Sequence, residues 1–170
     1  TGITTYTSGY VQQGRDSTDY TISSYDIGKY WDIKCRMYCG EQNLNNMHTS
    51  IYLGYNTVTT NYALRIQMSV AYSYSQNYVK VYKQNGTVTT FITDATYDYM
   101  ANYANWFWFR AQREGTKLYF KVWKHPASEP TAWHYEIENA YNDSDPTSGK
   151  IMISNGICNS LFDDITVKTH

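Results

Sequence analysis

Apolar and polar side chains alternate with a period of two along the most readable stretches of this chain, which is the spacing of half-buried strands and not of helices. The clearest case is Trp106-Phe107-Trp108-Phe109-Arg110-Ala111-Gln112-Arg113, a Glu114-Gly115 turn, and then Lys117-Leu118-Tyr119-Phe120-Lys121-Val122-Trp123-Lys124. Alternation sends Phe107, Phe109, Ala111, Leu118, Phe120 and Val122 to a core. It leaves Trp106, Trp108, Arg110, Gln112, Tyr119, Lys121 and Trp123 on the other face. A second hairpin is predicted over 79–92, where Asn85-Gly86 supplies the positive φ angles of a type I′ turn. Further strands are predicted over 31–39, 50–55, 62–72, 149–154 and 162–168, with polar, turn-rich loops over 40–47, 94–105 and 124–133. Turn signals recur about every ten residues, the rhythm of a β-sandwich. A chain of 170 residues is long enough for one hydrophobic core and short for two. Residues 1–170 therefore read as a single all-β domain, a two-sheet antiparallel β-sandwich.

Composition strengthens the strand reading. The chain holds 19 Tyr, 5 Trp and 5 Phe, and aromatic and β-branched residues suit a pleated, half-buried surface. Tyrosine also offers contact area with a wet edge, which a ligand-binding surface uses, although outward strand positions alone account for most of them. The formal net charge of -1 gives no broad electrostatic attraction for nucleic acid or anionic lipid. No apolar stretch reaches the roughly 20 residues of a membrane helix, and the Thr1 start carries no signal-peptide pattern, so the chain reads as an excised domain.

Cys35, Cys39 and Cys158 make an odd count and allow at most one bridge. Cys35 and Cys39, four apart on a strand, would lie roughly 13 Å from each other, too far for a disulfide. Buried thiols are expected, consistent with folding in a cytoplasm and later work on a virion tail or outside a cell. His48, His125, His134 and His170 have no metal-ligand spacing. There is no phosphate loop and no G-x-S-x-G elbow. Asn85-Gly86-Thr87 and Asn142-Asp143-Ser144 fit the glycosylation pattern, but so short a pattern arises by chance.

The hairpin 106–123, the ending Gly149-Lys150-Ile151-Met152-Ile153 and Phe162-Asp163-Asp164-Ile165-Thr166-Val167, and the opening Gly9-Tyr10-Val11-Gln12-Gln13 before Trp31-Asp32-Ile33-Lys34 resemble the concanavalin A-like lectin and laminin-G-like superfamily. The resemblance spans nearly the whole chain through loose motifs and implies a jelly roll that binds saccharides or proteins. It does not imply catalysis. The glucanases of that superfamily carry E-x-D-x-x-E, whose carboxylates act as nucleophile and acid, and this chain lacks it. Glu136 and Glu138 are the nearest pair and read as a solvated edge. The Asn/Tyr/Thr-rich composition and unpaired cysteines further resemble carbohydrate-binding domains of baseplate or tail-fibre accessory proteins of tailed phages of lactic-acid bacteria. A polysaccharide module attached to a bacterial glycosidase shares the same features.

Saccharides present apolar C–H faces and many hydroxyls, so their sites combine flat rings with planar polar groups. Trp108, Arg110, Gln112, Tyr119, Lys121 and Trp123 supply that combination on one face and form the candidate carbohydrate site. The competing reading packs the same rings under a long loop or against a partner, and Trp106, opening its strand, reads as core. Arg65, Gln67, Tyr78, Lys80 and Tyr82 form a lower-ranked supporting set. Asp163 and Asp164 resemble the Asp pair that helps hold a structural calcium in jelly-roll modules. Asp16, Asp19 and carbonyls are candidate further ligands, against the alternative of a capped turn or edge. The expected activity is non-catalytic binding of a cell-surface or cell-wall polysaccharide, within a parent assembly that supplies further subunits or domains. The rivals are a protein-docking module and a glycan-cleaving enzyme.

Overall fold

The computed structural model describes residues 2–6, 11–13, 20–21, 28–39, 47–55, 65–73, 76–85, 88–96, 106–141, 150–156 and 160–169. Their strands are β1 (Gly2–Tyr6), β2 (Val11–Gln13), β3 (Tyr20–Thr21), β4 (Tyr30–Cys39), β5 (Met47–Tyr55), β6 (Arg65–Ser73), β7 (Gln76–Asn85), β8 (Val88–Thr96), β9 (Trp106–Glu114), β10 (Lys117–Lys124), β11 (Tyr135–Ile137), β12 (Lys150–Gly156) and β13 (Ser160–Thr169). One sheet runs β1-β13-β4-β9-β10-β11, with β2 also on β13, and the other runs β3-β12-β5-β6-β7-β8. Every ladder is antiparallel. The chain crosses between sheets so that β13 lies beside β4 and β12 beside β5, which is a two-sheet jelly roll. Among the described residues no helix is long and apolar enough to cross a membrane.

The core follows from alternation on β4, β9, β10 and β13. Trp31, Ile33, Cys35 and Met37 on β4, Phe107, Phe109 and Ala111 on β9, and Leu118, Phe120 and Val122 on β10 are buried with Phe162, Ile165 and Val167 of β13. They form one cluster with Ile51 and Leu53 of β5 and Ile151 of β12, which joins the two sheets. Tyr135 of the short edge strand stacks on Phe120 at 4.7 Å. Burial of this apolar area is the main force holding the sheets face to face.

Turns sharpen the register. The β9–β10 loop is Gly115-Thr116, one residue later than the predicted Glu114-Gly115. Gly115 takes φ +61° as the first central residue, where a II′ turn needs glycine. The predicted 85–86 turn of the other hairpin includes residues outside the described set, although its strands pair up to Asn85 opposite Val88. The predicted loops 40–47 and 94–105 lose Met47 to β5 and 94–96 to β8, and their remainders lie outside the described residues. Cys35 is a buried free thiol, and burial pushes its ionisation far up, so it is no nucleophile. The thiols of Cys39 and Cys158 lie outside the described side chains.

Candidate functional site

The outward face of the seven-stranded sheet is ordered in cross-strand rows. Lys168, Asp32, Gln112, Tyr119 and Glu136 form one row, and Thr166, Lys34, Arg110 and Lys121 the next. A third holds Asp163, Arg36, Trp108 and Trp123, and a fourth Leu161, Tyr38 and Trp106. The second row sets three cations side by side, and like charges directly opposite on neighbouring strands repel.

Segment 125–134 resolves that repulsion by laying Glu129 across the row. Its carboxylate lies 2.8 Å from Lys34 Nζ, 2.7 Å from Arg110 Nη1 and 2.9 Å from Lys121 Nζ. Burial opposes its charge, but the hydrogen bonds from Lys34, Arg110 and Lys121 outweigh that and hold its pKa at about 2. The opposite edge of Arg110 is a two-pronged grip on Asp32, with Nε at 3.0 Å and Nη2 at 2.5 Å from the two carboxylate oxygens. Such bidentate pairs fix orientation as well as charge. The Asp32 hydrogen bond, opposed by burial and aided by Glu129, raises the Arg110 pKa further. Lys121 also donates to the Pro130 carbonyl at 2.7 Å.

The rings on this face are engaged by cations. Trp108 and Trp123 stack with centroids 6.0 Å apart, and Lys34 Nζ sits 4.7 Å from the first and 5.3 Å from the second. Arg36 lies over Trp106 and Trp108. Trp133, from the arching segment, takes Lys121 at 4.7 Å and Arg110 at 5.4 Å and leans on Tyr119 at 5.7 Å. Trp108 Nε1 donates to His125 Nδ1 at 3.3 Å. Cation–π contact of this kind is stronger where water is excluded. His134 Nδ1 accepts the Val122 N–H, and burial, with the Lys121 charge, lowers the His134 pKa.

Six of the sequence-predicted residues therefore share one face but not one role. Arg110 reaches a cleft, and Trp108 is half-buried beneath cations. Gln112 donates to Glu114, and Tyr119 lies against Trp133. Lys121 is only 4% exposed, because Glu129, Pro130 and Trp133 fold back over it. Trp123, at 5% exposed, has Trp108 stacked beside it and Lys34 over its ring. Trp106, expected in the core, instead faces outward and packs on Tyr38 at 5.5 Å, since its place in the alternation is opposite to Phe107. Arg65, Gln67, Tyr78, Lys80 and Tyr82 belong to β6 and β7 of the six-stranded sheet, away from the hairpin.

Asp163 and Asp164 sit at an irregularity. Three steps of β13 from Asp163 to Thr166 oppose two of β4 from Arg36 to Lys34. This is a one-residue bulge, with Asp164 at φ +51°, a region that Asp tolerates. Both carboxylates face Arg36, Asp163 at 2.5 Å from Nη2 and Asp164 at 2.7 Å from Nε. The second contact is an ion pair lacking hydrogen-bond alignment. Calcium needs six to eight oxygens. Among the described residues no three His, Cys, Asp or Glu side chains converge on a metal position, and the partner these two aspartates share is the Arg36 guanidinium. Asp16 and Asp19 lie outside the described residues.

What the face does form is a cleft of about 340 Å3 lined by Asp32, Lys34, Arg110, Glu129, Thr166 and Lys168, within the size range of small-ligand sites. Of these six only Arg110 was singled out from sequence as a site residue. Asp32 and Lys34 alternate with core Ile33 and Cys35, and Thr166 and Lys168 with Ile165 and Val167. The alternation that buries the apolar halves of β4 and β13 carries the signal for these outward residues. Glu129 had none, being placed by the path of a loop.

No protein-family model matches the sequence, and no curated protein matches it significantly. Solved structures do. Carbohydrate binding module CBM66 from Bacillus subtilis superposes with TM-score 0.68 over 99% of this chain and 96% of its own, at 12% identity. The exoplasmic/lumenal domain of VIP36, solved in a Ca2+/Man3GlcNAc-bound form, gives TM-score 0.65 over 99% and 83%, also at 12% identity. The protein has the concanavalin A-like jelly-roll fold. The CBM2 module of the evolved Dit of Lactobacillus casei BL23 phage J-1 shares this fold, with TM-score 0.62 over 89% of this chain and 67% of its own at 12% identity. At these identities the likeness is one of fold, which names neither a site nor a ligand.

Proposed function

We propose that this concanavalin A-like domain binds a cell-surface or cell-wall polysaccharide, without cleaving it, in the cleft over the seven-stranded sheet. The observation that carries the reading is Arg110 held rigidly between Asp32 and Glu129 at a cleft of ligand size. Planar carboxylate and guanidinium groups in fixed orientation match pairs of sugar hydroxyls, and groups locked beforehand lose little freedom on binding. The presence of the same fold in modules named for carbohydrate binding and in a VIP36 domain solved bound to Man3GlcNAc supports this choice. Glycoside cleavage needs a carboxyl that keeps its proton near neutral pH, and Glu129 is held at about 2. Glu136 and Glu138 stand exposed on β11 and the turn after it, with Glu138 paired to Lys117 at 2.6 Å. A module of this kind serves a larger protein on a virion tail or outside a cell, where several copies multiply weak single-site affinity.

The test is a glycan-array and cell-wall polysaccharide screen of the domain, repeated with Arg110→Ala and with chelator. The expected result is binding that falls at least tenfold in Arg110→Ala, with the near-UV circular dichroism of the fold retained and no effect of chelator. Undiminished binding by a folded Arg110→Ala would move the site elsewhere. Failure to bind any glycan, even when multimerised, would favour a protein-docking role.

A further inference from the structure

The cleft departs from the electrostatics of the whole chain. The protein carries a formal net charge of -1, yet Lys34, Arg110 and Lys168 line the cleft, with Lys121 beneath, against the two carboxylates of Asp32 and Glu129. Four cations meet two anions. Among the described residues Asp32 is committed to Arg110 by two hydrogen bonds, so Glu129 is the carboxylate that answers the row Lys34–Arg110–Lys121. It does so from a segment whose neighbours 126–128 and 131–132 are exposed. Backbone hydrogen bonds tie that segment at His125, Ala127 and His134. Between Ala127 and His134, the described contacts on the sheet are those of Glu129, the Pro130 carbonyl and the Trp133 ring, which stays over Lys121 and Arg110 when the Glu129 carboxylate is exchanged.

We propose, building on carbohydrate binding in this cleft, that the ligand is an acidic saccharide whose uronate carboxylate takes the position Glu129 holds on Lys34, Arg110 and Lys121. The three contacts at 2.7–2.9 Å show that the row accepts one planar carboxylate with short, charge-assisted hydrogen bonds. Exchange keeps those bonds and returns Glu129 to water, where a carboxylate is well solvated. Lys168 and Thr166, on the rim beside Lys34, meet the rest of the charged ring. Glu129 then acts as an internal competitor that spares three adjacent cations from mutual repulsion when no ligand is present, and it sets a threshold that neutral sugars lacking a carboxylate do not cross by the same route.

The test pairs uronate-containing polysaccharides (pectic, alginate and glucuronate-bearing) with their carboxyl-reduced neutral forms and titrates each into the wild-type domain by calorimetry at low and high salt. At least one acidic member is expected to bind tenfold or more tightly than its reduced form, with the advantage shrinking as salt screens the charges. Glu129→Gln, confirmed folded, is expected to widen that advantage because its competitor has lost its charge. Equal binding of acidic and reduced forms, or a folded Glu129→Gln that narrows the gap, overturns the proposal while leaving carbohydrate binding standing. Absence of binding to every polysaccharide, acidic or neutral, in this and the broader glycan screen overturns both. The acidic-against-reduced comparison on the wild type stands even if Glu129→Gln does not fold.

Discussion

The two faces of the β9–β10 hairpin share one backbone and are held by different forces. Inward, Phe107, Phe109, Ala111, Leu118, Phe120 and Val122 lose water against the opposite sheet. Outward, Lys121 and Trp123 are almost as buried, yet Lys121 is covered by a loop pinned by ion pairs and cation–π contacts, and Trp123 is covered by Trp108 and the Lys34 ammonium. Burial alone does not tell a core from a site. The inner face depends on area removed from water, which charge screening and titration leave alone, whereas the outer face depends on charges that both can alter.

The widest separation between the faces is expected in denaturant unfolding. Phe109→Ala or Phe120→Ala should cost about 3–5 kcal/mol, the range for a large buried ring with its cavity. Glu129→Ala should cost less, about 1–3 kcal/mol, because it leaves the buried Lys121 ammonium with the Pro130 carbonyl but no carboxylate. A Glu129→Ala penalty as large as that of Phe120→Ala would erase the distinction between the two faces.

Much of the inner face was legible in sequence because strict alternation over 106–113 and 117–124 admits one assignment of sides. The same alternation put Trp108, Arg110, Gln112, Tyr119, Lys121 and Trp123 together correctly as a face. It said nothing of access to them, since access depends on where 125–134 travels, and loop paths are set by tertiary contacts such as Glu129 to Lys34, which sits 95 residues earlier. The pairing of Asp163 and Asp164 with Arg36 was likewise hidden. It needs β13 beside β4 and a bulge, and both are products of strand order.

Acid should sharpen the contrast. Glu129 has a folded pKa near 2, below its usual 4.5. Its ion pairs therefore stabilise the fold above about pH 4.5, and that contribution fades as pH falls toward 2. Melting curves of the wild type and Glu129→Gln should differ most near neutral pH and converge toward pH 2. A gap that stays constant across the range would remove Glu129 from the electrostatic account.

The smallest effect is expected at the hairpin's tip. Gly115 sits at φ +61° with room for a methyl group, the nearest atom to an added Cβ being the Tyr30 hydroxyl at 3.6 Å. Gly115→Ala should cost about 1 kcal/mol through backbone strain alone and lower both faces together, leaving saccharide affinity at the wild-type value in the folded protein.

The most direct test of the central claim follows the five tryptophan indole N–H signals by NMR while a saccharide that binds in the screen is added. Trp133 and Trp108 flank the charged centre of the cleft, and Trp31 lies in the core at 1% exposure. A ligand seated in the cleft on Arg110 should shift the Trp133 and Trp108 signals saturably and leave Trp31 in place. Saturable binding with Trp133 and Trp108 unmoved would contradict the account and place the carbohydrate site on another part of the jelly roll.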